Sequence, residues 1–147
     1  MLTAGFLLAC HSVENKQTTP QTEQETKIDT AEKNEATVAL SLNKGAKWKA
    51  DSSTNSNVSG LRNIIENAKP VNLEGYHNTG KDLQEGINKM VSECRMKGPE
   101  HESLHHWLQP LMEENKKLTS AGSITVAAET VEKIKKQLSL YPHFFEQ

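Results

Sequence analysis

Four separate stretches of apolar residues at helical spacing, between residues 58 and 141, predict an all-α protein: an antiparallel up-down four-helix bundle, or three long helices plus a short one. The connections between the stretches are short and marked by Gly and Pro, which makes sequential helices antiparallel neighbours. Ahead of them lies a polar stretch almost free of large aliphatic residues, which predicts a disordered N-terminal tether. The 147-residue chain thus divides into an apolar leader at 1–9, a tether at 10–43 and a helical domain at 44–147.

The leader Met1-Leu2-Thr3-Ala4-Gly5-Phe6-Leu7-Leu8-Ala9 is too short to cross a bilayer as a helix, which takes roughly 20 apolar residues. It reads as an export signal. Leu7-Leu8-Ala9-Cys10 resembles a bacterial lipobox, with Ala9 as the small residue before the cleavage point and Cys10 as the acylated first residue of the mature chain. The resemblance implies a membrane partner through N-terminal lipid, and an envelope location on the periplasmic face or outer surface. Two or three acyl chains suffice for stable anchoring, whereas one is marginal.

From His11 to Glu35 the chain carries six acids and three lysines, with Val13 and Ile28 as its only large aliphatic residues. Such a segment cannot bury enough apolar surface to fold and acts as a spacer. Ala36-Thr37-Val38-Ala39-Leu40-Ser41-Leu42 alternates weakly and fits either a short strand or more linker. Next, Lys44, Lys47 and Lys49 surround Trp48. An indole plugging the end of the core, with the lysines in water, is favoured there over a binding patch.

The first stripe is Val58, Leu61, Ile64, Ile65 and Ala68, with Ser56 or Asn57 as the cap and Pro70 as the stop. The second is Leu73, Tyr76, Gly80, Leu83, Ile87, Met90 and Cys94, which places Cys94 inward and Gly98 as terminator. Pro99 suits the first helical position of the third, where Glu100 and Glu102 meet the positive end of the dipole. Its stripe is Leu104, Trp107, Leu108, Leu111, Met112 and Leu118, with a kink expected at Pro110. Ser123 caps the fourth, whose stripe runs from Ile124 through Ala127, Ala128, Val131, Ile134 and Leu138 to Tyr141, and Pro142 is expected to end it.

With Cys10 acylated, Cys94 is left without an intramolecular disulfide partner. The fifteen residues from Cys94 to Leu108 also hold three of the six histidines. His101 and His105, spaced i,i+4, project from one side of a helix as a two-histidine metal site requires. His106 falls on another face with Glu113 and Lys117, toward solvent. Up-down topology brings the start of the first helix, the second turn and the end of the fourth helix to one pole. Cys94, Met96, His101, His105 and His143 are therefore the candidate metal ligands, with Trp48, Phe144 and Phe145 shielding them. His77, about 25 Å down the helix from Cys94, is excluded.

Thiolate, thioether and imidazole together suit copper, and thiolate with imidazole also suits zinc. The C-x-M-x4-H-x3-H spacing is not a zinc-finger pattern, and haem attachment lacks its C-x-x-C-H motif. The competing reading is structural: a buried Cys94, His101 closing the turn, and His105 bordering the core. A balance of seventeen bases against nineteen acids gives no electrostatic case for nucleic acid. No Gly-rich phosphate loop, G-x-S-x-G elbow or H-E-x-x-H pair occurs, so no enzyme is expected. The alternative to a metal-binding lipoprotein is a non-catalytic structural or protein-interaction module.

At Cys94-x-Met96-x-Gly98-x-x-His101-x-x-Leu104-His105-x-Trp107-Leu108, with Lys47-Trp48 upstream, the chain resembles small lipoproteins of Bacteroidetes-type bacteria over roughly Trp48 to Leu118. The resemblance implies an envelope location and a helical domain. That family has no assigned activity, so it implies no site residues.

Overall fold

The computed structural model describes residues 39–146. The expected leader at 1–9, the expected lipidation residue Cys10 and the expected tether as far as residue 38 lie outside the described residues. Four helices follow one another: α1 (Ser52–Asn67), α2 (Leu73–Glu93), α3 (Pro99–Thr119) and α4 (Ile124–Phe144). Among the described residues there is no named strand, and no helix is long and apolar enough to cross a membrane.

Cross-helix contacts give the antiparallel register directly. Ser53 donates to the Glu93 carbonyl, Asn57 to the Glu93 carboxylate, and Leu61 sits against Gly86, so α1 descends as α2 rises. Gln84 pairs with Asn115 between α2 and α3. Tyr141 donates to Asn55, and Arg62 to the Leu138 carbonyl, between α4 and α1. The four apolar stripes meet in one core that includes Leu61, Leu83, Ile87, Trp107, Leu111, Ile134 and Leu138. Each fully buried side chain of this kind contributes about 1.5–3 kcal/mol of transfer free energy.

The start of α1 and the end of α4 differ from the sequence expectation, each for a physical reason. Helix α1 begins at Ser52, capped by Asp51 rather than Ser56 or Asn57, because the Asp51 carboxylate accepts the Thr54 amide at 2.6 Å. Its first turn is polar yet buried at Thr54 and Asn57, which an apolar pattern does not register. Helix α4 runs through Pro142 to Phe144 instead of stopping. Pro142 has no amide for the Leu138 carbonyl four residues back, and the Arg62 guanidinium takes that place at 3.1 Å. Helix α3 likewise continues through Pro110. Just before that proline it is latched to α4 by a reciprocal pair: the Trp107 indole donates to the Gln137 carbonyl at 3.1 Å and the Gln137 amide donates to the Trp107 carbonyl at 2.6 Å.

Met112 and Ile124, assigned inward by periodicity, are 43% and 50% exposed. Helix α1 spans 16 residues against 21 for each of the others, so the α1–α4 side is the least closed. A groove of about 380 Å³ remains there, floored by Ile65, Leu138 and Pro142 and edged by Arg62, Glu66 and Lys135.

The segment before α1 docks onto the end of α4. Asn43 and Ala46 exchange both backbone hydrogen bonds across Lys44 and Gly45, which have φ of 52° and 90°, making a two-residue turn. The Trp48 amide then donates to the Phe144 carbonyl and the Glu146 amide donates to the Trp48 carbonyl. The expected indole plug is present: Trp48 packs half-buried against the core while Lys44, Lys47 and Lys49 stay exposed.

Candidate functional site

The end of the bundle that carries the Cys94 hairpin is assembled from four elements. Helix α2 ends at Glu93, with Cys94 as its C-cap, rather than continuing to Gly98. Residues 94–97 run outside the helices, and Gly98 turns the chain into α3 at φ +65° and ψ −150°, a conformation open essentially to glycine alone. Pro99 occupies the first helical position, as its fixed φ and missing amide favour. The sharp turn brings α3 back onto the end of α2, and the Cys94 Sγ lies 3.6 Å from the His101 Nδ1.

Helical spacing then sets His105 one turn further on, its ring centroid 4.3 Å from that of His101 and tilted by 57°. Desolvation first, then the positive charge that His101 and His106 carry when protonated, holds His105 below the ordinary histidine pKa, against the pull of Glu102. Its imidazole is therefore biased toward the neutral form, which keeps a lone pair. His105 is nonetheless exposed and His106 half-buried, the reverse of the outward placement expected for His106.

Asp51 fastens α1 to this hairpin. Its Oδ1 accepts the Thr54 amide and the Ser53 hydroxyl, while its Oδ2 accepts the Arg95 amide at 2.7 Å. Burial alone raises a carboxyl pKa, but these donors outweigh it and hold Asp51 at about 2. The Thr54 hydroxyl contributes to that lowering by proximity, although it completes no hydrogen bond of good geometry and is buried. Glu93 is held low by hydrogen bonds from Lys89 and Asn57. Beneath the hairpin, Trp107, Tyr141 and Phe145 form an aromatic column, edge-to-face at 4.9 Å and stacked at 4.7 Å. Burial, then the Asp51 charge, pushes the Tyr141 hydroxyl well above its ordinary range, so it stays protonated and donates to Asn55.

Of the five residues singled out by sequence, the structure joins Cys94 to His101 and sets the His105 ring beside that of His101, tilted rather than stacked. Met96 is half-buried and packed against the core. His143 is exposed in the last turn of α4, which reaches this same pole through the Trp48–Phe144 hydrogen bond. Among the described residues, no three His, Cys, Asp or Glu side chains close into a cage able to hold a metal ion. His77 belongs to the opposite pole, where its Nε2 lies 2.9 Å from the Ala121 carbonyl oxygen.

Sequence reasoning missed Asp51 as the pin of the hairpin and Arg62 as the partner of the proline-freed carbonyl. The signal for Asp51 was present in Asp51-Ser52-Ser53-Thr54, a strong N-cap followed by small polar residues. No local signal marks Arg62.

Chemically, the cluster offers one sulfur and one nitrogen donor to an ion placed between them. With bonds of about 2.3 Å to sulfur and about 2.05 Å to nitrogen, a 3.6 Å separation subtends about 110°. That angle belongs to tetrahedral or trigonal coordination and excludes a linear pair without movement of the hairpin. No family model matches the chain, and neither does any curated protein or solved structure with which it was compared.

Proposed function

We propose that the chain is a lipid-anchored lipoprotein of the bacterial cell envelope whose helical domain binds one transition-metal ion, copper or zinc, between Cys94 and the His101–His105 pair. The anchor rests on the lipobox-like Leu7-Leu8-Ala9-Cys10, and the polar stretch after it spaces the domain from the membrane. The metal rests on one observation, the 3.6 Å approach of the Cys94 thiol to the His101 Nδ1 at a metal-compatible angle. The function is binding, not catalysis.

Labelled palmitate incorporated by the parent chain in a bacterial host, and absent from Cys10→Ala, is the result expected for the anchor. For the metal, anaerobic titration of the reduced full chain with Cu(I) or Zn(II) against a chromophoric chelator is expected to give one equivalent, lost in Cys94→Ser and in His101→Ala with the fold intact by circular dichroism.

The absence of a closed three-residue cage among the described residues favours a second reading, a structural or protein-interaction module. In that case the Cys94–His101 contact only closes the hairpin. Both substitutions then lower thermal stability, and neither metal binds above the level of a cysteine-free control.

A further inference from the structure

Helix α4 carries a proline at Pro142, and the carbonyl that this leaves without an amide is that of Leu138. The Arg62 Nη2 donates to it at 3.1 Å, which fixes the guanidinium across the open side between α1 and α4. A guanidinium has five N–H donors in one plane, and among the described residues the Nε and Nη1 of Arg62 meet no acceptor. Arg62 is half-buried, yet it belongs to none of the ion pairs among the described residues, which join Lys89 to Glu93, Lys117 to Glu114 and Lys135 to Glu132. It is a cation that has given up part of its water without gaining a counter-charge, and it stands at the edge of the α1–α4 groove.

The groove offers little else that is polar. Its floor is Ile65 and Leu138, 3% and 1% exposed, with half-buried Pro142. Ser139 already donates its hydroxyl to the Lys136 carbonyl, and Lys135 holds Glu132 at 2.7 Å. Antiparallel packing with Arg62 at Leu138 sets Glu66, one turn further along α1, level with the Lys135 end, and leaves the guanidinium as the charged groove residue nearest Pro142. A peptide backbone finds no partners on such a floor, whereas an alkyl chain needs none. From Lys135 to Pro142 the groove runs about 10 Å along α4, the reach of an alkyl chain of about eight carbons. Its volume of about 380 Å³ lies at the small end of the roughly 300–1,000 Å³ typical of ligand sites.

We propose that this groove binds a medium-length alkyl carboxylate, a fatty acid by chemical class, with its carboxylate on the free donors of Arg62 and its chain along Ile65, Leu138 and Pro142. Arginine pairs with a carboxylate through charge-assisted hydrogen bonds in a planar fork. Because the Leu138 carbonyl already holds the guanidinium, little side-chain freedom is left to lose on binding. The apolar floor takes the tail, and the single uncompensated cation selects the head group.

The test is calorimetric titration of the full chain carrying Cys10→Ala, expressed without acylation, with octanoate, octanol and octylamine. One octanoate per chain is expected, bound at least tenfold tighter than the alcohol or the amine, with backbone amide shifts in nuclear magnetic resonance spectra centred on Ile65, Leu138 and Ser139. Arg62→Met, checked for its fold by circular dichroism, is expected to bring octanoate down to the level of octanol. Octanol binding as tightly as octanoate overturns the role given to the guanidinium, and that comparison needs no variant. Shifts centred outside the groove overturn its location. A short acidic peptide that binds the groove where octanoate does not overturns the alkyl chain as its occupant. Binding of none of the three compounds overturns the proposal as a whole.

Discussion

Asp51→Asn separates two roles that one carboxylate plays at the head of α1. Asn and Asp are about equally good N-caps, so a residue that only capped the helix tolerates the exchange. Asp51, however, uses Oδ1 for Thr54 and Ser53 and Oδ2 for the Arg95 amide of the hairpin. In Asn, either the amide nitrogen faces the Arg95 N–H, donor against donor, or the group flips and loses the cap. The magnitude follows from linkage. The carboxyl falls from an ordinary 3.8 to about 2 on folding, which at 1.36 kcal/mol per pH unit is at most about 2.4 kcal/mol. Solvent still reaches this side chain, and screening brings the figure to about 1–1.5 kcal/mol. Because the folded value is depressed, this stability is present above the unfolded pKa and is lost as pH falls from about 4 to about 2.

Urea unfolding followed by circular dichroism is therefore expected to show Asp51→Asn less stable by about 1–1.5 kcal/mol at pH 7, about 4–12 °C in Tm for a domain of this size. The gap is expected to narrow as pH approaches 2. An Asn variant within about 0.3 kcal/mol of the parent at pH 7, or a gap that does not change with pH, would refute the account of Asp51 as a bridge.

The Arg62–Leu138 bond predicts a dependence on a residue that Arg62 is not bonded to: Arg62→Met is expected to cost about 1–3 kcal/mol by leaving a carbonyl unpaired, but under about 0.5 kcal/mol in a Pro142→Ala background, where the restored amide serves it. A double-mutant cycle in urea reads this, and additive effects count against it. Gly98→Ala forces a side chain into φ +65° and ψ −150°, and a loss of about 1–3 kcal/mol is expected; an unchanged Tm contradicts the turn assignment. Tyr141→Phe removes the donor to Asn55 and is expected to cost about 1 kcal/mol, while spectrophotometric titration of the parent shows Tyr141 ionising only as the fold is lost in alkali.

Much of the bundle was legible because its signals are local. Ser123 and Pro99 mark the starts of α4 and α3 through capping and a pre-set φ, and the structure places both where those preferences put them. The Gly98-Pro99 turn, the i,i+4 histidines and the inward phase of Cys94 were enough to anticipate the pair that now lies at 3.6 Å. The same local logic misplaced the end of α4, since a proline reads as a stop until another helix supplies the missing donor. It also misassigned the exposure of Met112, Ile124 and His106, because which flank of a helix is covered depends on the angle at which its neighbours pack.

By itself, the sequence determined the all-α class, the number and order of the helices and the hairpin that brings the Cys94 thiol to the His101 imidazole, because periodicity, caps and turns act over a few bonds. Only the tertiary structure decided how α4 survives Pro142, and that Asp51 joins the Arg95 amide to the head of α1. Each of those rests on one hydrogen bond between residues 44 or more positions apart, and no spacing rule along the chain encodes such a contact.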